Sequence, residues 1–331
     1  MTRSLRGSVV VITGASSGIG RATAREFARH GATIVLAARR EQVLNEALAE
    51  CEDLGGRGLV VPTDVSDADQ VERLANTAVR AYERIDVWVN NAAVFLFGHI
   101  EETPRETYER VIQTNLIGCV NGARAAIRRF REQGEGSLIN VSSMVGHAGQ
   151  PYASAYVSSK WAIRGLSESL RMELRDVPSI HVSTVLPAVI DTPLYQHAAN
   201  YTGRAIKAMR PVYPPEQVAA TIVRLAQRPK REVFVGNAGR MTAALHTLAP
   251  AIAEPVVAGL VEIDHFQDGQ PAPFTDGNLF EPMADRYGAR GGWLVREHPP
   301  QLRSPGVAIA IGLAIVALPL AFYAVIRGRG R

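Results

Sequence analysis

Two ionisable side chains, Tyr156 and Lys160, stand four residues apart in a stretch whose apolar pattern predicts a helix. Residues at this spacing share one helix face, so the phenol and the ammonium are expected to be neighbours. A free tyrosine titrates near about 10, too high for easy proton exchange at neutral pH. A nearby ammonium favours the phenolate and lowers that pKa. The pair therefore predicts acid–base chemistry, with Tyr156 protonating a carbonyl oxygen or deprotonating an alcohol.

A glycine-rich turn follows the first apolar run of the chain and opens the first helical pattern. Glycines let the backbone turn tightly and approach a pyrophosphate, which then binds the N–H groups at the start of a helix. We expect this turn to bind a dinucleotide through Gly14, Ser16, Ser17, Gly18, Ile19 and Gly20.

Short apolar runs alternate with amphipathic stretches over the first 235 residues and must position these groups. Continuous Val, Ile and Leu segments are typical of parallel strands buried on both faces. The alternation predicts an α/β fold with a doubly wound parallel sheet of about seven strands. We expect the strands at 9–13, 32–37, 58–61, 86–89, 137–141, 180–186 and 232–235, and helices that include 41–54, 67–84, 105–133 and 155–175.

The alternation stops after Gly236, which divides the chain into a catalytic domain (1–236) and an extension (237–305). Residues 239–263 predict one or two helices with an apolar face, interrupted at Pro250 and Pro255. Residues 264–305 are rich in Pro, Gly and charge, and predict a loop or linker.

Residues 306–326 form an uncharged run of 21 residues, followed by a basic tail at 327–331. As a helix the run would span about 31 Å, close to a hydrocarbon core of about 30 Å. We therefore expect one transmembrane helix, a single-pass C-terminal anchor in membrane lipid, with the catalytic domain in the cytoplasm. The alternative is a buried terminal helix or an oligomer contact. The tail arginines favour the opposite orientation, so the topology stays open.

The composition excludes several classes of protein. The chain has 331 residues, of which 47% are hydrophobic and 21% charged, so it is globular rather than disordered. Two cysteines support neither a disulfide framework nor a zinc site, and no clustered metal-ligand spacing is present. The net charge is +4, and three of the positive residues lie in the last five. We therefore expect no nucleic-acid partner.

Read in order, the motifs resemble those of the short-chain dehydrogenase/reductase family over about residues 6–236. They are the glycine-rich turn, Asp64-Val65, Asn90-Asn91-Ala92, Asn115, Ser142-Ser143, Tyr156-x-x-x-Lys160 and Pro187 to Thr192. The resemblance implies a Rossmann fold and hydride transfer between a nicotinamide cofactor and a carbonyl or secondary alcohol.

The resemblance also implies a role for each matching residue. Ser143 lies 13 residues before Tyr156, the family's usual separation, and would stabilise the developing oxyanion; Ser142 is the competing candidate. Asn115 would hold a water that relays protons to Lys160. Cofactor contacts fall to the catalytic Tyr156 and Lys160, and to Asp64, Val65, Asn91, Ala92, Pro187, Ile190 and Thr192.

Two alanines depart from the family's usual pattern. Ala93 and Ala188 stand where relatives often carry glycine. Each adds one methyl group near the nicotinamide, so we expect an altered pocket wall rather than an inactive site.

The end of the second predicted strand, Ala37-Ala38-Arg39-Arg40, indicates which nicotinamide cofactor binds. NAD enzymes usually place an acid here for the ribose 2′-hydroxyl, and neither alanine can serve. An arginine pairs with a 2′-phosphate through its fork of donors. We therefore predict NADP(H), bound through Arg39 and Arg40. The alternative is that both arginines form a solvated helix start.

The expected substrate-facing loops are mostly apolar and include 94–97, Met144-Val145 and Leu194-Tyr195. A dry pocket favours a hydrophobic, lipid-like ketone, aldehyde or secondary alcohol. His147 is expected to be a surface or satisfied polar group; the alternative, since it lies close after Ser143, is a contact with the substrate. By resemblance, we expect a homodimer formed through the helices that carry Asn115 and Tyr156.

Two other functions fit the same fold. A non-catalytic nucleotide-binding regulator commonly lacks the tyrosine or the lysine, and both are present here. Nucleotide-sugar epimerases and dehydratases tend to use a different glycine spacing and a larger C-terminal domain.

Overall fold

The computed structural model describes residues 4–283 and 285–294. Its strands are β1 (Val9–Thr13), β2 (Thr33–Ala38), β3 (Arg57–Pro62), β4 (Val87–Asn90), β5 (Leu96–Phe97), β6 (Gly136–Val141), β7 (Ile180–Pro187), β8 (Ala199–Asn200), β9 (Arg204–Ile206), β10 (Glu232–Val235) and β11 (Phe266–Pro271). Its helices are α1 (Gly18–Arg29), α2 (Glu41–Asp53), α3 (Ala68–Tyr82), α4 (Arg105–Ile112), α5 (Gly118–Gln133), α6 (Ser154–Glu173), α7 (Pro215–Gln227), α8 (Asn237–Leu248) and α9 (Pro250–Asp264).

The main sheet is parallel and has the strand order β10-β7-β6-β4-β1-β2-β3. Each of its seven strands was predicted, with ends that differ by at most one residue. The chain runs outward in both directions from β1, so the order reverses between β1 and β4. Open α/β sheets bind ligands at this reversal, outside the carboxyl ends of the strands.

The alternation of side chains along β1 supplies two separate cores, one on each face of the sheet. Val10 and Ile12 pack with the helices α1, α2 and α7, where Phe27 is fully buried. Val9 and Val11 belong to the opposite core, formed with α3 and α5. Helices therefore cover both faces, which explains why the central strands are apolar without a polar alternation.

The predicted helix over 105–133 is interrupted, and the interruption contains Asn115. Residues Gln113–Ile117 form a π-helical turn between α4 and α5. Inside it, Asn115 Oδ1 accepts from the Val94 backbone N–H at 2.8 Å, and Nδ2 donates to the Val94 carbonyl at 3.0 Å. A π-turn inserts one extra residue into a helix and often marks a functional position. Periodicity alone does not reveal such an insertion.

The region after β10 is more regular than the sequence predicted. Helix α8 ends before Pro250 as expected, whereas Pro255 lies inside α9 instead of interrupting it. Pro255 is the sixth residue of α9, so it removes one backbone N–H donor from the helix without ending it. Part of the predicted linker forms β11, which pairs antiparallel with β9.

The predicted membrane localisation requires correction. Among the residues that the structure describes, no helix combines the length and the apolar character needed to cross a membrane. This finding contradicts that localisation. The stretch 306–326, from which a transmembrane helix was predicted, lies outside the described residues.

Candidate active site

A cleft of about 220 Å³ opens where the carboxyl ends of the central strands meet. It brings together nearly all residues predicted from the sequence. Ser143 and the following predicted cofactor residues line it: Gly14, Ser16, Ser17, Gly18, Ile19, Arg39, Arg40, Asp64, Val65, Asn91, Ala92, Tyr156, Lys160, Pro187, Ile190 and Thr192. Gly20 and Asn115 are not part of this lining.

The glycine-rich turn has the close backbone approaches that a phosphate-binding loop needs. Gly14 has φ +66°, and a Cβ atom there would lie 2.7 Å from Ala92 Cα. A Cβ on Gly20 would clash with the Gly14 carbonyl oxygen, so position 20 needs a glycine for the turn to pack against α1. The Asn91 side chain donates to the carbonyls of Thr13 and Gly14 and ties the turn to β4. This backbone fits the pyrophosphate of a dinucleotide.

Tyr156, Ser143 and Lys160 meet at the other end of the cleft. The Ser143 side chain lies close enough to the Tyr156 phenol to affect its pKa, and the Lys160 ammonium lies 5.3 Å from the centre of the Tyr156 ring. Lys160 Nζ donates to the Val141 carbonyl at 2.9 Å. Ser142 instead points its hydroxyl at the Lys160 carbonyl, 2.8 Å away. Of the two serines, Ser143 is therefore the one beside the phenol.

Burial controls the proton equilibria of this group. Removal from water raises the pKa of Tyr156, and the hydrogen bond with Ser143 acts in the opposite direction with smaller effect. The sequence had suggested a lowered value. Burial also lowers the pKa of Lys160 to about 8, because the ammonium is the charged form. At neutral pH the tyrosine is therefore a neutral phenol and the lysine is mostly charged.

The lowered pKa of Lys160 predicts a pH-dependent stability. Above pH 8 the folded lysine has lost its proton while the unfolded one, near about 10.4, still holds it. Stability rises with pH wherever the unfolded state binds more protons. Between pH 8 and 9 the free energy of unfolding of the wild type should therefore rise relative to Lys160→Met by about 1 kcal/mol.

Urea unfolding of both proteins at pH 7, 8 and 9 measures this difference. Subtracting the free energy of unfolding of Lys160→Met from that of the wild type at each pH cancels the contributions of Cys51 and Cys119, whose pKa values burial also shifts. Parallel pH profiles for wild type and variant would show that Lys160 keeps its proton in the fold.

Asn115 lies behind the catalytic group rather than within the cleft. Its Nδ2 also donates to Ser159 Oγ at 3.2 Å, and Ser159 donates to the Tyr156 carbonyl. With Cys119 and Val141 it lines a second cavity of about 10 Å³. That space is about the size of one water molecule. The predicted water relay from Asn115 to Lys160 stays a prediction.

The adenosine end of the cleft contains a pairing that sequence reasoning missed. Arg110 of α4 donates to Asp64 Oδ2 at 2.6 Å and to Ser66 Oγ at 2.7 Å. Burial alone would raise the pKa of Asp64, but hydrogen bonds from Ser66 and Arg110 hold it below its usual range. Arg110 lies 46 residues from Asp64, and no local motif announces this contact.

The predicted 2′-phosphate ligands are in contact with the C-terminal extension. Arg39 Nη2 donates to the Asn278 carbonyl at 2.6 Å, and Nη1 donates to the carbonyls of Leu279 and Phe280 at 3.2 and 2.9 Å. Arg40 donates to the Met283 carbonyl and lies over the ring of Tyr287, 5.2 Å from its centre. The two arginines are therefore not a solvated helix start.

The C-terminal extension also reaches the phosphate-binding turn and the loop after β7. The Gly18 N–H donates to the Gly288 carbonyl at 3.1 Å. Trp293 donates through its backbone N–H to Asp191 Oδ1 at 2.7 Å and through Nε1 to the Thr192 carbonyl at 3.1 Å. The predicted linker thus contacts Gly18 and Thr192, two residues that line the cleft.

The substrate half of the cleft is bordered by apolar and aromatic side chains. Phe95 stacks on Tyr156 with ring centres 4.2 Å apart, and Tyr195 lies 6.0 Å from Phe95. Met209 and His265, which sequence reasoning missed, complete this wall. Burial lowers the pKa of His265, so its imidazole is neutral at physiological pH.

His147 does not reach the substrate half of the cleft. Its Nε2 lies 3.5 Å from Glu232 Oε2, and its ring lies against Phe234. The suggested substrate contact is therefore absent from the described geometry.

The chain is similar to known oxidoreductases in both sequence and structure. A family model described as short chain dehydrogenase matches residues 8–201. The uncharacterized oxidoreductase YxnA of Bacillus subtilis is 36% identical over 323 residues, which cover 95% of this chain and 90% of that protein. The 3-ketodihydrosphingosine reductase of Bos taurus is 35% identical over 267 residues, covering 78% of this chain and 80% of that protein.

A solved structure supports the same assignment. It is a short chain dehydrogenase/reductase from Burkholderia phymatum in complex with NAD, with a TM-score of 0.69 and 26% sequence identity. The match covers 76% of this chain and 96% of that chain. With its parallel seven-stranded sheet and glycine-rich turn, the chain is an oxidoreductase that belongs to the short-chain dehydrogenase/reductase family.

Proposed function

We propose that this protein is an NADP(H)-dependent oxidoreductase that interconverts a hydrophobic carbonyl compound and its alcohol. The observation that carries the proposal is that Ser143, Tyr156 and Lys160 line one cleft together with the glycine-rich turn, with the Lys160 ammonium 5.3 Å from the centre of the Tyr156 ring. This arrangement supports a proton donor and an oxyanion partner acting in a partly dry site. When bound, the nicotinamide would supply or accept the hydride.

The residues divide the remaining work between them. Ser143 donates a hydrogen bond to the substrate oxygen and stabilises the charge that develops there. Tyr156, neutral at physiological pH because burial raises its pKa, gives its proton to that oxygen during reduction. Lys160 holds its ammonium close to the phenol and favours the phenolate left behind.

The choice of NADP(H) depends on this chain's own residues, because similar solved structures hold either NAD or an NADP derivative. Arg39 follows the end of β2, Arg110 reaches the same cleft from α4, and Ala38 stands where NAD enzymes usually carry an acid. Three of the five N–H groups of Arg39 donate to backbone carbonyls, which leaves its Nε–H and one Nη2–H. Two adjacent donors of this kind match the oxygens of a phosphate.

The substrate class follows from the wall around Tyr156. Phe95, Tyr195, Met209 and Leu194 offer apolar contact, and His265 is neutral. Lining of this composition favours a substrate with a long or bulky apolar part. A relative that covers most of this chain is a 3-ketodihydrosphingosine reductase by its name, which supports a lipid-like ketone. The homodimer expected from the family stays a prediction.

Oxidation of NADPH by the purified full-length chain tests this proposal. A graded panel of ketones and aldehydes, from small polar compounds to long alkyl chains, is supplied with NADPH or NADH. We expect kcat/KM to rise with chain length and to be higher with NADPH. Turnover confined to small polar carbonyls would contradict the substrate class. Cofactor binding without turnover in either direction, with alcohols and NADP included, would contradict the enzymatic role.

A further inference from the structure

Residues 278–283 form a wall at the adenosine end of the cleft, opposite the loops of the parallel sheet. Asn278, Pro282 and Met283 line the cleft. The wall is well anchored: the Asn278 N–H donates to the His197 carbonyl at 2.9 Å, and the Leu279 side chain is fully buried. Arg110 Nε donates to the Leu279 carbonyl at 3.0 Å. The segment is therefore a fixed part of this end of the site.

The Asn278 side chain is the exception in this anchored wall. Its Oδ1 is buried and has no hydrogen-bond partner among the residues that the structure describes. The backbone of the same residue is held at both ends, by His197 and by Arg39. Buried polar atoms are nearly always paired, because an unpaired one loses its hydration without compensation. An unpaired amide that lines a nucleotide cleft indicates a ligand group.

The neighbours of Asn278 indicate which part of the cofactor that group belongs to. Its own carbonyl lies 2.6 Å from Arg39, at the end of β2, and Arg110 joins the same wall to Asp64. In this fold the loops after β2 and β3 border the adenosine half of the cofactor. An Oδ1 acceptor would repel a phosphate, whereas a base offers N–H donors.

We propose that Asn278 recognises the adenine base of the cofactor, an inference that rests on the proposed NADP(H) binding. A carboxamide presents one acceptor and one donor side by side. The adenine edge presents the complementary pair, the 6-amino donor and the N7 acceptor. Asn278 Oδ1 accepts from the 6-amino group, and Nδ2 donates to N7. The C-terminal extension thereby supplies a specificity-determining residue that lies outside the family motifs.

Asp64 is less suited to this contact than its position suggests. Its Oδ1 already accepts from the Ser66 N–H and hydroxyl, at 3.0 and 2.7 Å, and its Oδ2 accepts from Arg110. Asn278 Oδ1 has its full accepting capacity left. The two residues therefore divide the work, Asp64 fixing Arg110 and Asn278 contacting the base.

The test compares two reduced cofactors that differ at one group. Nicotinamide hypoxanthine dinucleotide phosphate carries a carbonyl oxygen in place of the adenine 6-amino group. Dissociation constants are measured by cofactor fluorescence for the wild type, Asn278→Ala and the control Asn45→Ala, an exposed asparagine of α2. We expect the wild type and the control to prefer NADPH by about tenfold or more, and Asn278→Ala to bind both cofactors about equally.

Each outcome bears on one claim. Equal affinity of the wild type for the two cofactors would overturn the adenine contact, even in an active enzyme. An unchanged preference in Asn278→Ala would overturn it as well. If the substitution only loosened the fold, the dissociation constants of both cofactors would rise by the same factor and their ratio would stay as in the wild type. Damage to the fold is therefore distinguishable from loss of the adenine contact. A wild type that binds neither NADPH nor NADH would instead contradict the proposed function, and this inference with it.

Discussion

Replacing Tyr156 with phenylalanine should lower kcat for carbonyl reduction by about 10²- to 10⁴-fold, the usual contribution of a positioned proton donor. The phenyl ring keeps the stacking on Phe95, whose ring centre lies 4.2 Å away. What disappears is the hydroxyl whose pKa the neighbouring Ser143 side chain affects. The substitution therefore removes the proton and leaves the shape of the site.

The NADPH dissociation constant separates this loss of chemistry from a loss of binding. We expect it to change little, because Lys160, the glycine-rich turn and Arg39 all remain. Single-turnover reduction of the best substrate, followed by NADPH absorbance, then reports the chemical step alone. The thermal midpoint of the variant should stay close to that of the wild type, since no buried donor loses a partner other than Ser143.

A matched control makes the result specific. Tyr82→Phe removes a phenol at the end of α3, away from the cleft, and should leave kcat unchanged. If Tyr156→Phe kept more than about a tenth of the wild-type kcat, the proton would have to come from another group. Ser143→Ala and Tyr195→Phe would then be the next variants, because the hydroxyls of Ser143 and Tyr195 both lie near the Tyr156 phenol in this cleft.

The sheet was predictable because its strands depend on local patterns. Val9–Thr13 is an apolar run buried along its whole length, and every residue of Ile180–Pro187 except His181 is buried, as is typical of strands covered on both faces. Tyr156 and Lys160 lie on one helix at a fixed spacing, so their proximity also follows from local geometry. The order of the motifs along the chain then places both beside the glycine-rich turn.

What could not be predicted depends on contacts between distant residues. The pKa of Tyr156 is set by its burial, and burial depends on Phe95 and other side chains brought in by separate loops. Arg110 meets Asp64 only because α4 packs next to the loop after β3. The wall at 278–283 has no repeat or motif, and its Pro- and Gly-rich surroundings were interpreted as a linker.

Arg39 also illustrates the difference between residue type and environment. Its position after β2 predicted a phosphate ligand, and three hydrogen bonds to the C-terminal extension were not foreseen. Burial lowers the pKa of its guanidinium, although an arginine stays charged at physiological pH. The same side chain is thus available for two tasks, anchoring residues 278–280 and binding the 2′-phosphate.

Arg39→Ala should raise the dissociation constant of NADPH by about 10- to 100-fold, the value of a lost charge-assisted pair. Because the variant also releases the carbonyls of residues 278–280, part of that loss will be shared by NADH. The informative quantity is therefore the ratio of the two dissociation constants, measured by fluorescence titration. Only the contact with the 2′-phosphate changes this ratio.

Two further variants show whether Arg39 binds the 2′-phosphate or only anchors residues 278–280. Arg39→Lys keeps the charge but not the fork of donors, so it should recover part of the preference for NADPH. Arg73→Ala removes an exposed arginine of α3 and should leave both dissociation constants unchanged. If Arg39→Ala weakened NADPH and NADH by the same factor, Arg39 would be an anchor for the C-terminal wall alone. The preference for NADP(H) would then have to come from Arg40 or Arg110, the other arginines that line the cleft.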